Sequence, residues 1–262
     1  MPSGKTRKRA PIQALAPLTE TLQLGTRVYQ ALVDSIVNGQ IGSGAQLRPD
    51  AIARQLDVST TPVREAMHRL QNDGLTIKLP YQGWFVREFT EEQIRKLYEF
   101  RAALERLSVR LACQHITDKE IRWLREHQST GEAALESKDM EAYRLYNRDF
   151  HAAFLRSANN PYLSSAMSQV ALQSEMLTGK TIRIVGRPLR AIEEHSQLID
   201  LIEARNADKA ETLMGSHIMS ALEDIISSHI ASNLEPALQE RVGLPAPDPA
   251  IGVPTQNSKS WS

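Results

Sequence analysis

From Thr90 to about residue 230, the apolar side chains of this 262-residue chain recur with a helical period, and only short loops interrupt them. The period predicts helices near 91–115, 118–136, 139–158, 161–179, 187–204 and 207–230. Thr90 with Gln93, and Thr117 with Glu120, have the spacing of a capping box, in which a threonine and a side chain three residues on satisfy each other's free N–H groups. Amphipathic helices joined by short loops bury their stripes by packing side by side in opposite directions, so this part is expected to be an antiparallel bundle.

Ahead of the bundle the period changes once. LTIKL and WFVRE are short strand-like runs joined by Pro80-Tyr81-Gln82-Gly83, which reads as a β-hairpin. Three short helices precede it. Thr26 can cap the first, which presents Val28, Leu32, Val33 and Ile36 and stops at Gly39. The second runs from about Pro49 to Leu56. The third lies in VSTTPVREAMHRLQNDGL, with Thr61 as cap, Pro62 at the first helical position and Gly74 as the left-handed stop. Three helices and a hairpin in that order make a winged helix-turn-helix. The expected fold is therefore mostly α: an N-terminal winged helix-turn-helix and a C-terminal all-α antiparallel bundle. The expected parts are a disordered basic tail at 1–23, the winged helix at 24–88, the bundle at 89–232 and a disordered Pro-rich tail at 233–262.

Charge and composition narrow the function classes. Lys+Arg and Asp+Glu balance at 31 each, yet residues 1–88 carry 11 basic and 7 acidic side chains, which favours a polyanion partner for that part. The single cysteine, Cys113, excludes an intrachain disulfide and fits a reducing compartment. The basic N-terminus has no apolar run behind it, and no stretch approaches the roughly 18 apolar residues of a membrane span. A cytoplasmic protein with no membrane partner is expected.

The third helix has the side-chain distribution of a DNA reader. Val63, Ala66, Met67 and Leu70 form one stripe, which leaves Arg64, His68 and Gln71 on the opposite flank and Thr60 and Thr61 at the N-terminal end. A recognition helix meets base edges with its first turns while its stripe holds it to the other helices. Arginine can grip guanine with two hydrogen bonds, and threonine hydroxyls suit phosphate oxygens. In the bundle, Asn147 and His151 share a helix face, His195 lies on the stripe of Ile192, Leu198, Ile199 and Ile202, and His217 edges the face of Leu213, Ile218 and Leu222. Three imidazoles and an amide from three helices could converge on zinc, nickel, copper or iron. A lone histidine on an apolar face is more often a satisfied core residue, so a bundle that only dimerises and a bundle that also binds a ligand both stay open.

Residues 26–88 resemble the DNA-binding domain of the GntR family of bacterial transcription regulators, through VNGQIGSGAQLRPDAIARQLDVSTTPVREAMHRLQNDGL and LPYQGWFV. The resemblance implies that Ser59, Thr60, Thr61 and Arg64 face DNA with His68, that Gln82 and Gly83 form the wing tip, and that Arg48 contacts phosphate. Thr60 stands where the family usually has arginine, which removes a guanine-gripping side chain. Residues 94–230 resemble the FCD domain of the FadR subfamily, through LYEFRAALERLSVRLA, NRDFHAAFLRSANNPYL and EEHSQLIDLIEARNADKAETLMGSHI. In many members four such positions hold a divalent metal with a small organic acid beside it. Carried over, the ligands are Asn147, His151, His195 and His217, the metal is zinc or nickel, and Arg101 forks the effector's carboxylate. Asn147 stands where many members have Asp, which either weakens the hold on the metal or leaves the site one charge more positive; we take the second reading, which favours a carboxylate effector. The expected function is a homodimeric repressor whose grip on double-stranded operator DNA is controlled by a small carboxylate. The alternatives are a regulator for which the metal itself is the signal, and a metal-dependent hydrolase fused to a DNA-binding domain. No HExxH run is present, so an enzyme is not expected.

Overall fold

A computed structural model describes residues 21–181 and 186–242, with side chains for 24–178 and 186–228. It divides into two compact units, Met1–Glu88 and Phe89–Ser262. The expected tails at 1–23 and 233–262 fall largely outside the described residues, as does the basic cluster at Lys5–Arg9. The described parts of both tails, 21–23 and 233–242, are helical backbone. The last helix continues through Pro236 to Val242.

The first unit contains α1 (Thr21–Val37), β1 (Gln46–Leu47), α2 (Pro49–Gln55), α3 (Thr60–Asn72), β2 (Thr76–Leu79) and β3 (Gly83–Val86). The strands form an antiparallel sheet in the order β1-β3-β2, with Ile77 opposite Phe85 and Leu47 opposite Trp84. Val28, Leu32, Val33 and Ile36 of α1 and Val63, Ala66, Met67 and Leu70 of α3 are buried, so the two helical stripes make the core. Three local readings change. Thr26 lies inside α1, not at its start, and its hydroxyl accepts a bond from Arg69 at 3.2 Å. The cap of α3 is Ser59, two residues before the expected Thr61. Pro62 is tolerated further in because the first four N–H groups of a helix have no acceptor within it, so a missing one there costs nothing. The third strand, β1, is two residues long and has no period to reveal it. Gly74 takes the left-handed conformation expected of it, at φ +74°.

The second unit is all helix among the described residues: α4 (Glu91–His115), α5 (Asp118–Glu136), α6 (Met140–Ser157), α7 (Pro161–Thr181), α8 (Arg187–Glu203) and α9 (Ala207–Val242). Both capping boxes form, at Thr90 with Gln93 and at Thr117 with Glu120. α4 packs along α9, α5 against α6 and α8, and α4 against α6. Leu124, Tyr146, Phe150, Phe154, Leu198, Ile199 and Ile202 are fully buried between them.

Two of these helices meet at a glycine. A methyl group on Gly131 of α5 would sit 2.6 Å from the ring of Tyr146 on α6. Gly→Ala in an open helix gains about 1 kcal/mol. Here the ring has nowhere to go, and overpacking a buried site costs about 1–3 kcal/mol. Gly131→Ala is therefore expected to lower the melting temperature of the chain; an unchanged or raised value would mean that Tyr146 moves aside freely.

Candidate functional site

In the first unit, α3 buries its stripe and leaves Ser59, Thr61, Arg64 and His68 exposed, with Thr60 half-buried. Arg64 has no hydrogen bond or ion pair among the described residues. Trp84 of β3 is buried, and its indole N–H donates to Gln71 Oε1 at 3.3 Å while His68 meets the ring edge-on at 5.4 Å. The wing is thus braced against the outer flank of α3. Arg48 is exposed and donates to Gln46 Oε1 at 3.0 Å, and Gln46 donates in turn to the Gln82 carbonyl at 2.7 Å. Arg48 and Gln82 therefore lie on one connected edge. Gly83 has φ +94°, and the fully exposed Tyr81 beside it takes φ +62°, which is uncommon for an aromatic residue.

In the second unit, α6, α8 and α9 bring His151, His195 and His217 together, all buried, with one ring nitrogen from each within 4.8 Å of the others. Partners on the outside determine which nitrogens carry protons. The Tyr146 hydroxyl donates to Gln128 Oε1 at 2.6 Å, so it can only accept from His195 Nδ1, 2.9 Å away. Glu194 Oε2 lies 2.5 Å from His217 Nδ1 and accepts its proton. Both Nδ1 atoms are therefore protonated, and both Nε2 atoms keep their lone pairs. Those two Nε2 atoms face each other at 3.4 Å. Two lone pairs at that distance repel unless a cation lies between them.

Charge points the same way. Burial, reinforced by the charges of His217 and His151, holds His195 well below the usual histidine range. Burial brings His217 down to about 4, although its bond to Glu194 works in the opposite direction. Neutral imidazoles are the metal-binding form. His151 Nδ1 is 3.3 Å from Glu105 Oε1, but the angle is poor and the nitrogen has no proper hydrogen-bond partner. Two nitrogens on one tetrahedral zinc, each at about 2.0–2.1 Å, stand roughly 3.3–3.4 Å apart. The spacing of His195 and His217, the orphaned nitrogen of His151 and the all-nitrogen donor set fit a transition metal. Asn147 is half-buried one turn before His151 and lines the same space.

A cavity of about 110 Å³ opens beside His151 between α4, α6 and α7. Arg101 lines it and is buried, with Glu105 at 3.4 Å and the Tyr98 hydroxyl at 3.5 Å. These contacts are long and leave the guanidinium capacity for a further anion. Burial would raise the Glu105 carboxyl, but His151 and Arg101 overcome it and hold its pKa at about 2.

Arg101 is named by the resemblance, and Glu105, four residues on, is the partner the structure gives it. Tyr146, Gln128, Arg187 and Glu194 were not legible, since orienting residues act from other helices and carry no spacing signal. Arg187 is buried and bridges Glu194 at 3.4 Å and Asp224 at 3.1 Å, which steadies the Glu194–His217 bond.

Similarity to known proteins divides at the same boundary. Residues 24–86 match the family described as bacterial regulatory proteins, gntR family, and residues 96–220 match the FCD domain. The chain is 30% identical over 183 residues to the Nta operon transcriptional regulator of Aminobacter aminovorans, covering 70% of this chain and 85% of that protein. It is 31% identical over 208 residues to the "Probable D-xylose utilization operon transcriptional repressor" of Paenarthrobacter nicotinovorans, covering 78% and 89%. Among solved structures, a GntR transcriptional regulator from Rhodococcus sp. RHA1 superposes with a TM-score of 0.66 at 25% identity, covering 78% of this chain and 98% of that one. E. coli McbR/YncC, at 23% identity, shares the fold with a TM-score of 0.69, covering 81% and 100%. No helix among the described residues is long and apolar enough to cross a membrane.

The buried histidines make a pH prediction for the chelator-treated chain. His217 binds a proton in the unfolded chain below its ordinary 6.5 but in the folded chain only below about 4. The unfolded state thus takes up more protons as pH falls through that window, and folding stability drops by on the order of 3 kcal/mol. Melting curves between pH 7 and pH 4 should show this loss, and His217→Asn should lessen it, with the share of His195 remaining. An equal slope in the two proteins would mean that His217 is not held neutral.

Proposed function

Since this chain belongs to the GntR family of bacterial transcription regulators, in the FadR subfamily with a C-terminal FCD domain, and so is a DNA-binding regulator, we propose that it is a repressor released by a small organic acid bound beside a metal in the helical unit. One observation carries the reading. His195 and His217 aim unprotonated Nε2 atoms at each other across 3.4 Å, and both outer nitrogens are already committed to Tyr146 and Glu194. A pair of core histidines with no ligand to hold would avoid that arrangement.

His151, His195 and His217 would hold the ion, with Asn147 as a neutral fourth ligand. The ion would supply a positive, Lewis-acidic centre for a carboxylate. Arg101 would grip the same carboxylate through the hydrogen-bonding capacity that Glu105 leaves unused. Glu194 and Tyr146 orient two of the rings and hold their tautomers, as outer partners of metal-bound histidines do. In the DNA-binding unit, Arg64 would read base edges, the Thr60 and Thr61 hydroxyls and Arg48 would hold phosphates, and Ser59 and His68 would face the DNA beside them, with Gln82 and Gly83 at the wing tip. Two copies on a two-fold axis would read a pseudo-palindromic site. The acid acts by binding two arrangements of the dimer unequally. A repressor is favoured by the Paenarthrobacter relative, which is named as one.

The test is fluorescence anisotropy of the full chain on its own upstream DNA, at fixed salt, with small carboxylates added and metal content measured alongside. Release by a carboxylate that is lost in His195→Ala, with operator affinity otherwise kept, supports the reading. If only chelator or added metal changes DNA binding, the metal is the signal and the acid is not. Arg64→Ala should weaken operator binding by about 1–3 kcal/mol. An unchanged affinity would return Arg64 to the role of a surface charge.

A further inference from the structure

The cavity beside His151 is divided along its length. α6 and α7 run antiparallel, with Arg144 facing Glu175 at 3.6 Å, and their connection lies at residues 158–160. On the connection side of His151, the cavity side chains of both helices are apolar: Ala152 and Leu155 from α6 and Met167 from α7. On the far side Ala171, level with Arg148, is followed only by polar side chains, including Asn147 from α6 and Ser174 and Thr178 from α7. The α7 residues fall at intervals of four, three and four, so one face of one helix carries the whole gradient. Ser174 is 2% exposed, and its hydroxyl has no hydrogen-bond partner. A buried hydroxyl left alone is costly, and one lining a cavity is a natural partner for a ligand oxygen.

Resting on the carboxylate-sensing reading, we propose that the effector is an amphipathic monocarboxylate: its carboxylate lies at Arg101 and the histidines, and a hydrocarbon tail of a few carbons lies against Ala152, Leu155 and Met167. Ser174 takes an oxygen at the carboxylate end. Leu155 lies one helical turn beyond His151, about 6 Å along α6, which is room for roughly four or five methylene groups. A sugar acid or a citrate-like polycarboxylate would have to press hydroxyls or charge against that apolar end, where they would find no hydrogen-bonding group.

The test is calorimetric titration of the zinc-loaded full chain with linear monocarboxylates from acetate to decanoate, and with gluconate and citrate. Affinity should rise by about fourfold per added methylene, peak near pentanoate or hexanoate, and fall by decanoate. A 2-hydroxy group should tighten binding, and Ser174→Ala should remove that gain. Ala152→Leu fills the apolar end and should weaken hexanoate far more than acetate. Leu155→Ala, which enlarges the same end and does not crowd it, should move the peak to longer chains. Gluconate or citrate binding more tightly than hexanoate, or an affinity flat with chain length, would overturn this assignment and leave the carboxylate-sensing reading intact. If no acid binds, acetate included, that reading falls and this one with it.

Discussion

The helical unit depends on how its interior polar atoms are satisfied. A bundle of this size can be closed with hydrocarbon alone, yet here tyrosine, glutamine, glutamate, arginine and three histidines meet at its centre. Each would cost on the order of 1–3 kcal/mol if left without a partner. They are linked in series. Gln128 donates to the Ile192 carbonyl at 3.0 Å, accepts from Tyr146, and Tyr146 accepts from His195. On the other side Asp224 and Arg187 hold Glu194, which holds His217. The two series end at the two facing Nε2 atoms, where protein partners run out. Their links come from several different helices, so the tautomers at the centre follow from the packing of the whole unit.

That dependence explains Gly131. The Tyr146 ring reaches Gln128 and His195 together only by lying against the α5 backbone, at a distance that excludes any side chain. The glycine gives up some helix propensity, and the ring gains a fixed position. Phe150 stacks on His195 at 3.8 Å and completes the wall that keeps water from the imidazole. Low dielectric surroundings then strengthen each bond in the series and keep His195 and His217 neutral.

How much of the fold and the site was legible differed with the range of the signal. The limits of α4 and α5 were readable to the residue because capping boxes and apolar period are local. His195 and His217 were readable as polar residues on apolar stripes, an inconsistency that a sequence displays openly. The start of α3 was misplaced because Pro62 and Thr61 also fit a later start equally well, and chain sterics within the first turn do not choose between them. β1 was invisible because two residues carry no alternation. Tyr146, Gln128 and Glu194 went unread as a group because the three come from different helices, and their meeting is a result of tertiary packing. The gradient on α7 was hidden for a different reason. Met167, Ala171, Ser174 and Thr178 are ordinary residues in sequence, and become a pattern only when a cavity is known to face them.

The asparagine at 147 gains its meaning from the same charge distribution. In the proposed site three neutral imidazoles and a neutral amide would surround a divalent ion, leaving two positive charges uncompensated by direct ligands. The nearest carboxylates are already engaged: Glu105 is paired with Arg101, and Glu194 serves His217 from outside the ring. Neither can move onto the ion without abandoning a buried partner, at a cost of several kcal/mol. An aspartate at 147 would neutralise half the charge from within the protein and make the site less dependent on a ligand. With asparagine, that balance would have to come from the effector. Such a site would be weak for neutral sugars and strong for acids, and its metal and its acid would each bind more tightly in the presence of the other.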